Sequence, residues 1–324
     1  MNDICDHIAL NLGIDPNILL QIINRAKFRI KIFYIPKRNG SKRKIFHPDK
    51  KTKLIQYWLI HNILSRFPIH KSATAYKKKA STLENAIQHK CNRYFIRIDL
   101  QSFFPSIKFI DFENFIYHKN GLNYIDSNSF DVKNLLKLIN NICFLQDQTL
   151  PIGFPSSPTI SNILMHEIDS IISSNIKNIE HFGSGVYTRY ADDIVFSTNK
   201  KNACNFFYEY FNNLLNETLS PKLYINKDKT LFTSTSGGST IVTGIKICHD
   251  KHITLHKKYK DHIRLMLSLY AKNKLDKNEH QSLVGHLAYL KNIDGNFYTK
   301  LSLKYFNEIN KLHEGIHRAN TEKL

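Results

Sequence analysis

Two adjacent carboxylates, Asp192 and Asp193, lie between two short apolar runs. Residues 186–189 and 194–197 are rich in β-branched and aromatic side chains, which predicts a hairpin with the two carboxylates at its exposed tip. A third carboxylate, Asp99, ends another apolar run far upstream. Carboxylates that converge from separate strands of one sheet can hold the two divalent cations used in nucleotidyl transfer.

An Asp-Asp pair is also an ordinary turn sequence, so the hairpin by itself does not establish this chemistry. We expect Asp99 and Asp192 to be the metal ligands, with the backbone carbonyl of Leu100 completing one metal shell. The expected ion is Mg²⁺, two per active site, with Mn²⁺ able to substitute. One ion would acidify the attacking hydroxyl, and the other would hold the triphosphate and the leaving pyrophosphate.

The overall charge points to a polyanionic partner. The 324 residues carry 46 Lys plus Arg against 27 Asp plus Glu, a formal net charge of +19. Nucleic acid and an anionic membrane surface are the two candidates. No apolar run reaches the roughly 18 to 20 residues of a spanning helix, and residues 1–12 lack the basic start of a signal peptide. We therefore expect a nucleic-acid partner, no membrane, and a cytoplasmic protein.

The five cysteines are widely spaced and include no Cys-x-x-Cys pair, which predicts free thiols in a reducing compartment. One cluster, Cys248, His249, His252 and His256, is a possible zinc site. The same segment also fits two strands joined by a turn at residues 250–251, with its histidines beside a basic surface. We favour that second interpretation because no second cysteine pair accompanies the cluster.

The first third of the chain predicts helices around a basic hairpin. Residues 1–27 contain a helix start at Asp15-Pro16 and form a small helical element. Residues 25–53 are dense in Lys and Arg, and Asn39-Gly40 predicts a hairpin turn within them. A helix is expected over residues 52–66. So many cations on one hairpin would repel each other without a polyanion.

The remainder predicts alternating helices and strands, followed by a helical end. Helices are expected over residues 161–172 and 202–219, and a strand over 222–226. Gly237-Gly238 is expected to interrupt regular secondary structure. The last 70 residues are predicted to be mainly helical. Two apolar stripes there predict core packing: Tyr259, Ile263, Met266, Leu267 and Tyr270, and Leu283, Val284, Leu287 and Leu290.

Several further segments occur in the order found in reverse transcriptases. Residues 150–158, Leu-Pro-Ile-Gly-Phe-Pro-Ser-Ser-Pro, resemble the polymerase loop that follows Leu-Pro-Gln-Gly, with Ile152 in place of the usual glutamine. Residues 225–230, Ile-Asn-Lys-Asp-Lys-Thr, resemble the next polymerase element. Together with Asp99 and the Tyr-Ala-Asp-Asp of residues 190–193, they resemble the catalytic motifs of a reverse transcriptase.

A narrower resemblance is to the retron reverse transcriptases of bacteria. Residues 85–89, Asn-Ala-Ile-Gln-His, and residues 242–244, Val-Thr-Gly, are similar to two short elements of that family and lie in the right order. Residues 43–48 and 54–58 also resemble the retron fingers. Each motif is weak, but the ordered set is specific and spans roughly residues 28 to 300.

The resemblance implies an α+β right-hand polymerase fold, with fingers, a palm made of an antiparallel sheet with helices, and a short helical thumb. The implied divisions are an N-terminal helical element at 1–27, fingers and palm at 28–240, and an RNA-binding thumb at 241–324. It gives Asp193 a lesser part beside Asp99 and Asp192. Lys229 would lie near the leaving pyrophosphate, where it could donate a proton or neutralise charge.

The resemblance also implies residues that bind nucleotide or RNA. Phe104 would crowd the sugar 2′ position and exclude ribonucleotides, although it could equally be a core residue. The expected nucleotide-binding residues are Arg43, Phe104, Ile152 and Gly153. The expected RNA-binding residues are Lys42, Lys44, Asn85, His89, Thr243, Gly244, Lys257 and Lys258. For Asn85 and His89 the alternative is a helix cap and a buried histidine.

The implied function is RNA-directed DNA synthesis on a dedicated noncoding RNA. That RNA would serve as template and as 2′-OH primer, so that dNTPs yield branched, RNA-linked single-stranded DNA (msDNA). The family further implies anti-phage defence with an effector protein encoded nearby. Alternatives are another bacterial reverse transcriptase, of the group II intron or diversity-generating type, or a catalytically silent RNA-binding protein with a polymerase fold.

Overall fold

The computed structural model describes residues 4–37, 40–77, 80–119, 121–126 and 131–321. The chain forms two compact units. Unit 1 comprises Met1–Ala80 and Ile96–Phe232, and unit 2 comprises Ser81–Phe95 and Thr233–Leu324. Asn39 of the predicted hairpin turn lies outside the described residues.

Within the described residues the α-helices are α1 (Ile4–Leu12), α2 (Pro16–Arg25), α3 (Lys50–Asn62), α4 (Thr82–His89), α5 (Phe103–Ser106), α6 (Phe109–His118), α7 (Val132–Cys143), α8 (Ser157–Leu164), α9 (His166–Asn175), α10 (Ile179–Phe182), α11 (Ala203–Glu217), α12 (Lys257–Ala271), α13 (Lys277–Ile293), α14 (Gly295–Lys304) and α15 (Phe306–Thr321). The strands are β1 (Ile30–Pro36), β2 (Lys42–Pro48), β3 (Tyr94–Leu100), β4 (Val186–Tyr190), β5 (Asp193–Thr198), β6 (Ile225–Ser234), β7 (Ser239–Val242), β8 (Ile245–Cys248) and β9 (Ile253–Leu255).

A four-stranded sheet with the order β4-β5-β3-β6 provides the framework of unit 1. Strands β4 and β5 are antiparallel, and the Tyr190–Asp193 pair closes their hairpin as predicted. Ile96, Ile98 and Leu100 lie on one face of β3 and are buried, whereas Arg97 and Asp99 on the other face are half-buried. Burial of one face fixes the register of β3 and so fixes where the Asp99 carboxylate lies.

The basic segment of unit 1 forms an antiparallel β1-β2 hairpin, as predicted. Most of its residues are exposed, on both sides of this two-stranded sheet. It leads into α3, whose N-cap is Asp49, the acid of the predicted cation-rich segment, accepting a hydrogen bond from the Thr52 backbone. A two-stranded ribbon gains little stability from its own side chains.

Unit 2 contains α4, an antiparallel β7-β8-β9 sheet, and the helices α12 to α15. The predicted strand–turn–strand around residues 250–251 is present as β8 and β9. Both predicted apolar stripes contribute to its core: Ile263, Met266, Leu267, Leu283, Leu287 and Leu290 are buried. Tyr259, Tyr270 and Val284 are half-buried.

The predicted helix start at Asp15-Pro16 is confirmed, since Asp15 caps α2 and α2 begins at Pro16. Residues 1–27 also hold α1, and Gly13 has a positive φ between the two helices.

Three predicted boundaries were wrong. The helix expected over 161–172 is divided at Met165 into α8 and α9. The helix expected to reach Arg66 ends at Asn62, and a 3₁₀ turn follows. The strand expected over 222–226 begins only at Ile225 and runs to Ser234, because pairing in the sheet extends it beyond its apolar start.

Candidate active site

The Asp192–Asp193 turn lies at the end of the β4-β5 hairpin, beside the end of β3. Ala191, the first turn residue, has φ +58°, a conformation that residues other than glycine rarely adopt. The Leu100 N–H donates to the Asp192 carbonyl oxygen at 3.1 Å. This bond ties the turn to the strand that carries Asp99. Both aspartates of the turn are half-buried, so the prediction of an exposed tip was wrong.

The Asp99 carboxylate already has two cationic or polar neighbours from β6. Lys229 Nζ lies 3.0 Å from each of its oxygens, and Asn226 Nδ2 donates to Oδ2 at 3.1 Å. The Lys229 side chain is 62% exposed and that of Asp99 only 15%. An exposed lysine is held weakly, so this ammonium can leave Asp99 at small cost.

Carboxylate crowding makes the turn electrostatically strained. Burial and the negative charge of Asp99 raise the pKa of Asp192, although Arg43 and Lys229 oppose the shift. Burial and the charge of Asp192 raise the pKa of Asp193 to about 6, against the opposing effect of Arg97. Such like-charge crowding is relieved when a cation binds.

These residues open onto a cleft of about 690 Å³ in unit 1. Asp99, Leu100 and Asp192 line one side, and the basic hairpin contributes Lys42, Arg43 and Lys44. Phe104 and Ile152 also line it. The cleft therefore brings together most of the nucleotide and metal residues that the sequence predicts.

Sequence reasoning gave no site role to several other cleft residues, among them Tyr76, Gln101 and Asn226. Tyr76 has a positive φ of 60°, and burial, with Asp192 and Tyr190 nearby, raises the pKa of its hydroxyl. No local motif marks Tyr76, because its place in the cleft depends on contacts far away in the sequence. Asn226 lies in the 225–230 segment that resembles a polymerase element. Its polar side chain and its position in a strand could have identified it as a cleft residue.

The donor set suits a hard divalent cation that is partly held by substrate. Within the described ranges, no three His, Cys, Asp or Glu side chains form a complete metal site. Two carboxylates with their remaining positions left to backbone oxygen, water and phosphate match the way Mg²⁺ binds in enzymes that act on nucleotides. The raised pKa values of Asp192 and Asp193 show that their crowded negative charges would be stabilised by a bound cation.

Gly153 brings its loop close to strand β2, and its contact with nucleotide stays a prediction. Its φ is +110°, and a Cβ there would lie 2.5 Å from the Phe46 carbonyl oxygen and 2.8 Å from Ile45 Cγ2. The neighbouring Ile152 carbonyl accepts a hydrogen bond of 2.9 Å from the Phe46 N–H. The close approach in this structure is thus between the loop and strand β2.

Phe103 and Phe104 separate as expected. Both rings line the cleft, but Phe103 is 3% exposed and belongs to the core, whereas Phe104 is half-buried. Their rings are 5.3 Å apart in an edge-to-face arrangement. Core packing by Phe103 fixes the backbone from which the Phe104 ring extends.

The two retron-like elements meet inside unit 2. Asn85 Nδ2 donates to Thr243 Oγ1 at 3.4 Å, and Thr243 Oγ1 donates to the Thr82 carbonyl at 3.3 Å. Thr243 and Gly244 form the β7-β8 turn with φ values of +46° and +82°. The contacts run from helix α4 to this turn.

Asn85 and His89 are both completely buried, so direct contact of either side chain with RNA is unavailable in this structure. The prediction of direct contact is corrected on this ground. Burial lowers the pKa of His89 to about 3, so it is neutral. The alternative of a buried histidine holds for His89, but the cap of α4 is Ser81 and not Asn85. Any effect of either residue on RNA must be indirect.

Lys257 and Lys258 are exposed in the first turn of α12. They follow His256, which caps that helix through the Lys258 N–H. In the part of the chain that the structure describes, no cysteine forms a disulfide, and no cluster of metal ligands includes Cys248. None of the described helices combines enough length and apolar character to cross a membrane.

Comparison with known proteins agrees with this geometry. Residues 35–279 match the family described as reverse transcriptase (RNA-dependent DNA polymerase). The Retron Ec73 reverse transcriptase of Escherichia coli is 47% identical over 278 residues, which cover 85% of this chain and 86% of that relative. The Retron Ec83 reverse transcriptase of Escherichia coli is 29% identical over 90% of this chain and 91% of that relative.

Solved structures show the same fold. Apo telomerase from Candida tropicalis, truncated from its C-terminal domain, superposes with a TM-score of 0.50 at 14% identity. The match covers 70% of this chain and 55% of the telomerase chain, so this chain spans little more than half of that protein. At this identity the likeness concerns the fold alone, which is the right-hand polymerase fold of fingers, palm and thumb.

The fold and the carboxylate cleft define a reverse transcriptase, an RNA-directed DNA polymerase. Within this class, the chain belongs to the retron reverse transcriptases of bacteria. RNA is therefore its template partner, and enzymes of this family generally use divalent metal ions. The alternatives of a group II intron type, a diversity-generating type or a silent RNA-binding protein are not supported.

Proposed function

We propose that this enzyme copies a dedicated noncoding RNA from a 2′-OH within that RNA and makes branched, RNA-linked single-stranded DNA. The observation that carries the proposal is the convergence of Asp99 and Asp192 on one cleft beside a basic hairpin. The extensive similarity to two retron enzymes supports the choice of this RNA over a general template.

In the proposed active site, Asp99 and Asp192 would hold two Mg²⁺ ions with help from the Leu100 carbonyl, and Asp193 would assist. Bound Mg²⁺ would acidify the attacking hydroxyl and neutralise the triphosphate. Lys229, released from Asp99, neutralises or protonates the leaving pyrophosphate.

The proposed nucleotide site uses the other walls of the cleft. Arg43, with Lys42 and Lys44 beside it, grips the triphosphate of the incoming dNTP. Phe104 crowds its 2′ position, so that a ribonucleotide is excluded by steric clash. Ile152 supplies an apolar contact where the family pattern has an amide.

We assign residues 28–240 to fingers and palm, 241–324 to an RNA-binding thumb, and 1–27 to an N-terminal helical element. Lys257 and Lys258 contact RNA phosphates, and Thr243 and Gly244 present the β7-β8 turn to RNA. A-form RNA is recognised by its shape, phosphates and 2′-hydroxyls, which suits lysines along a helix. We further propose that the enzyme acts in the cytoplasm in anti-phage defence, with an effector protein encoded nearby.

The test is the nucleic acid that copurifies from cells expressing the protein with its neighbouring noncoding RNA. A species in which DNA is joined to an internal RNA 2′-oxygen, sensitive to both RNase and debranching enzyme, is expected. Asp192→Asn should copurify with the RNA and no DNA. An unbranched product begun from a 3′-OH would overturn the proposed priming, and full DNA synthesis by folded Asp192→Asn would overturn the metal assignment.

A further inference from the structure

A completely buried ion pair lies behind the catalytic turn in unit 1. Arg189 and Asp169 are both 0% exposed. Arg189 Nη2 lies 2.7 Å from Asp169 Oδ2, and its Nε lies 3.0 and 3.2 Å from the two carboxylate oxygens. Tyr187 donates its hydroxyl to Asp169 Oδ1 at 2.7 Å. The Asp169 carboxylate outweighs the effect of burial and holds the pKa of Arg189 above its ordinary value.

The remaining guanidinium nitrogen extends this pair to the turn itself. Arg189 Nη1 donates to the Ala191 carbonyl at 3.2 Å and to Asn162 Oδ1 at 3.0 Å. Ala191 is the strained residue of positive φ that precedes Asp192. The bond therefore holds the carbonyl on one side of the catalytic carboxylate, while Leu100 holds the carbonyl of Asp192 itself at 3.1 Å.

The same network reaches a second wall of the cleft. Asn162 Nδ2 donates to the Ala75 carbonyl at 3.1 Å, and Ala75 precedes Tyr76, which lines the cleft. The Arg189 backbone pairs with this segment, since its N–H donates to the Ser72 carbonyl at 2.8 Å and its carbonyl accepts from the Thr74 N–H at 2.7 Å. The side chains of Arg189 and Asn162 together thus connect Ala191, which precedes Asp192, with Ala75, which precedes Tyr76.

Stability alone gives a poor reason for a buried ion pair at this position. Replacing such a pair by apolar residues of similar volume is often neutral or stabilising, whereas removing one partner is strongly destabilising. What an apolar pair cannot supply is the directional hydrogen bonding to Ala191 and Asn162. Geometry at the metal site depends on positions held within a fraction of an ångström.

We propose that Arg189, Asp169 and Asn162 are positioning residues that set the places of Asp192 and Tyr76 in the cleft. Asp169 orients the guanidinium, Arg189 fixes the turn, and Asn162 transfers the restraint to the segment of Tyr76. The inference rests on the proposed role of Asp192 as a metal ligand. A buried network that contacts neither substrate nor metal then determines how well Asp192 is placed to bind the metal.

The test compares Arg189→Met with the double variant Arg189→Met/Asp169→Leu. The single variant leaves a buried carboxylate without its partner and should lose both melting temperature and activity. The double variant removes both charges and should recover much of the melting temperature. Its kcat should nevertheless stay about 10- to 100-fold low, with a raised Mg²⁺ requirement, because the turn is no longer fixed. Return of kcat together with stability would overturn the proposal.

Two further variants keep the test decisive if the double variant fails to fold. Asn162→Ser retains the ion pair but loses the link to Ala75, and should raise KM for dNTP several-fold more than it lowers kcat. Thr198→Val is the control: it removes a buried 2.7 Å hydrogen bond to the Phe182 carbonyl at the far end of β5. It should lower the melting temperature without changing kcat or the Mg²⁺ requirement.

An unchanged KM for dNTP in Asn162→Ser, or equal kinetic changes in Thr198→Val, would also contradict the proposal. Asp192→Asn is run in parallel. If Asp192→Asn is active, the metal assignment fails. If Asp192→Asn is inactive while the Arg189 and Asn162 variants keep normal kinetics, only the positioning network fails.

Discussion

Lys229 Nζ lies 3.0 Å from both oxygens of the Asp99 carboxylate, in a position where a divalent cation would meet the same oxygens. Because the Lys229 side chain is 62% exposed, its contact with Asp99 is screened by water and worth little. The ammonium and a metal ion cannot both use these lone pairs fully. Metal binding should therefore displace Lys229 from Asp99 and free it to act elsewhere in the cleft.

Lys229→Gln should change metal affinity and turnover in opposite directions. Loss of the competing ammonium should lower the Mg²⁺ concentration for half-maximal rate by about two- to fivefold, as expected for an exposed pair worth less than about 1 kcal/mol. The maximal rate should fall about 10- to 100-fold because charge on the leaving pyrophosphate is no longer neutralised. Single-turnover dNTP incorporation across an Mg²⁺ titration measures both, and Lys229→Arg is the matched control. A parallel fall in affinity and rate would contradict the competition.

Asp193 should make the metal-free protein less stable at neutral pH than in acid. Its pKa is about 6 in the folded protein against an ordinary 3.8, so the folded state binds the proton more tightly. Stability is then lost as the pH rises from about 4 to about 6 and stays low above that. Asp193→Asn should raise the free energy of unfolding by about 1 to 2 kcal/mol at pH 8, after allowance for solvent screening, and change it little at pH 4. Urea unfolding in EDTA at the two pH values is the measurement; an equal effect at both would exclude the charge explanation.

Phe104→Ala should admit ribonucleotides. The Phe104 ring lines the cleft, so its removal opens space beside the sugar 2′ position. We expect the preference for dNTP over rNTP in kcat/KM to fall by at least about tenfold. Phe103→Leu is the control, because Phe103 is 3% exposed and its substitution should lower the melting temperature without changing sugar selection. If Phe104→Ala keeps the wild-type ratio, another residue excludes the ribose.

RNA affinity should fall steeply with salt because Lys and Arg contacts release counterions from phosphates. Lys257→Gln/Lys258→Gln should reduce the slope of log K against log salt by about 1.5 to 2, close to one for each lost phosphate contact. The control Lys177→Gln/Lys201→Gln removes the same charge from two exposed positions outside the cleft and unit 2. Filter binding of the cognate RNA from about 50 to 300 mM salt gives the slopes. Equal changes in both double variants would mean that only net charge matters.

The elements of the site were predictable wherever local pattern dictates structure. The hairpin around Asp192 follows from two β-branched runs, and the basic β1-β2 hairpin follows from its Asn39-Gly40 turn signal. The burial of Phe103 as the core residue of the Phe103-Phe104 pair also agrees with expectation. In each case neighbours in sequence supply the interactions that fix the structure.

Relations between distant segments were not predictable. Tyr76 reaches the cleft through Ala75 and Asn162, and the buried Arg189–Asp169 pair joins residues 20 positions apart. From the sequence alone, Arg189 is only a polar residue within an apolar strand, and nothing indicates its partner. Asn85 and His89 are polar side chains that sequence reasoning directed toward RNA, whereas tertiary packing buries both completely. Burial of a polar residue depends on partners that one sequence does not reveal.

The double variant Asn85→Ala/His89→Ala should fail to start synthesis on the retron RNA yet still extend a DNA primer on a generic RNA template. The substitutions would act on RNA indirectly, by changing the β7-β8 turn, because Asn85 Nδ2 lies 3.4 Å from Thr243 Oγ1 in that turn. Loss of two fully buried side chains should also lower the free energy of unfolding by about 2 to 5 kcal/mol. Initiation on retron RNA and extension of a 3′-OH primer, each under single-turnover conditions, are compared at a temperature where circular dichroism shows the variant folded.

His89 gives the control for that experiment, because its burial makes stability depend on pH in a defined way. The pKa of His89 is about 3 in the folded protein and ordinarily 6.5. Below pH 6.5 the unfolded chain therefore binds a proton at His89 that the folded chain does not bind. Stability should be full above pH 6.5 and fall by about 2 kcal/mol between pH 7 and pH 5, and His89→Gln should abolish that part of the loss. If His89→Gln loses the pH dependence and retains initiation, His89 is structural and the initiation defect belongs to Asn85 and the Thr243 turn. If extension and initiation fall together in the double variant, neither residue selects the RNA, and specificity lies in the helices from Lys257 onward.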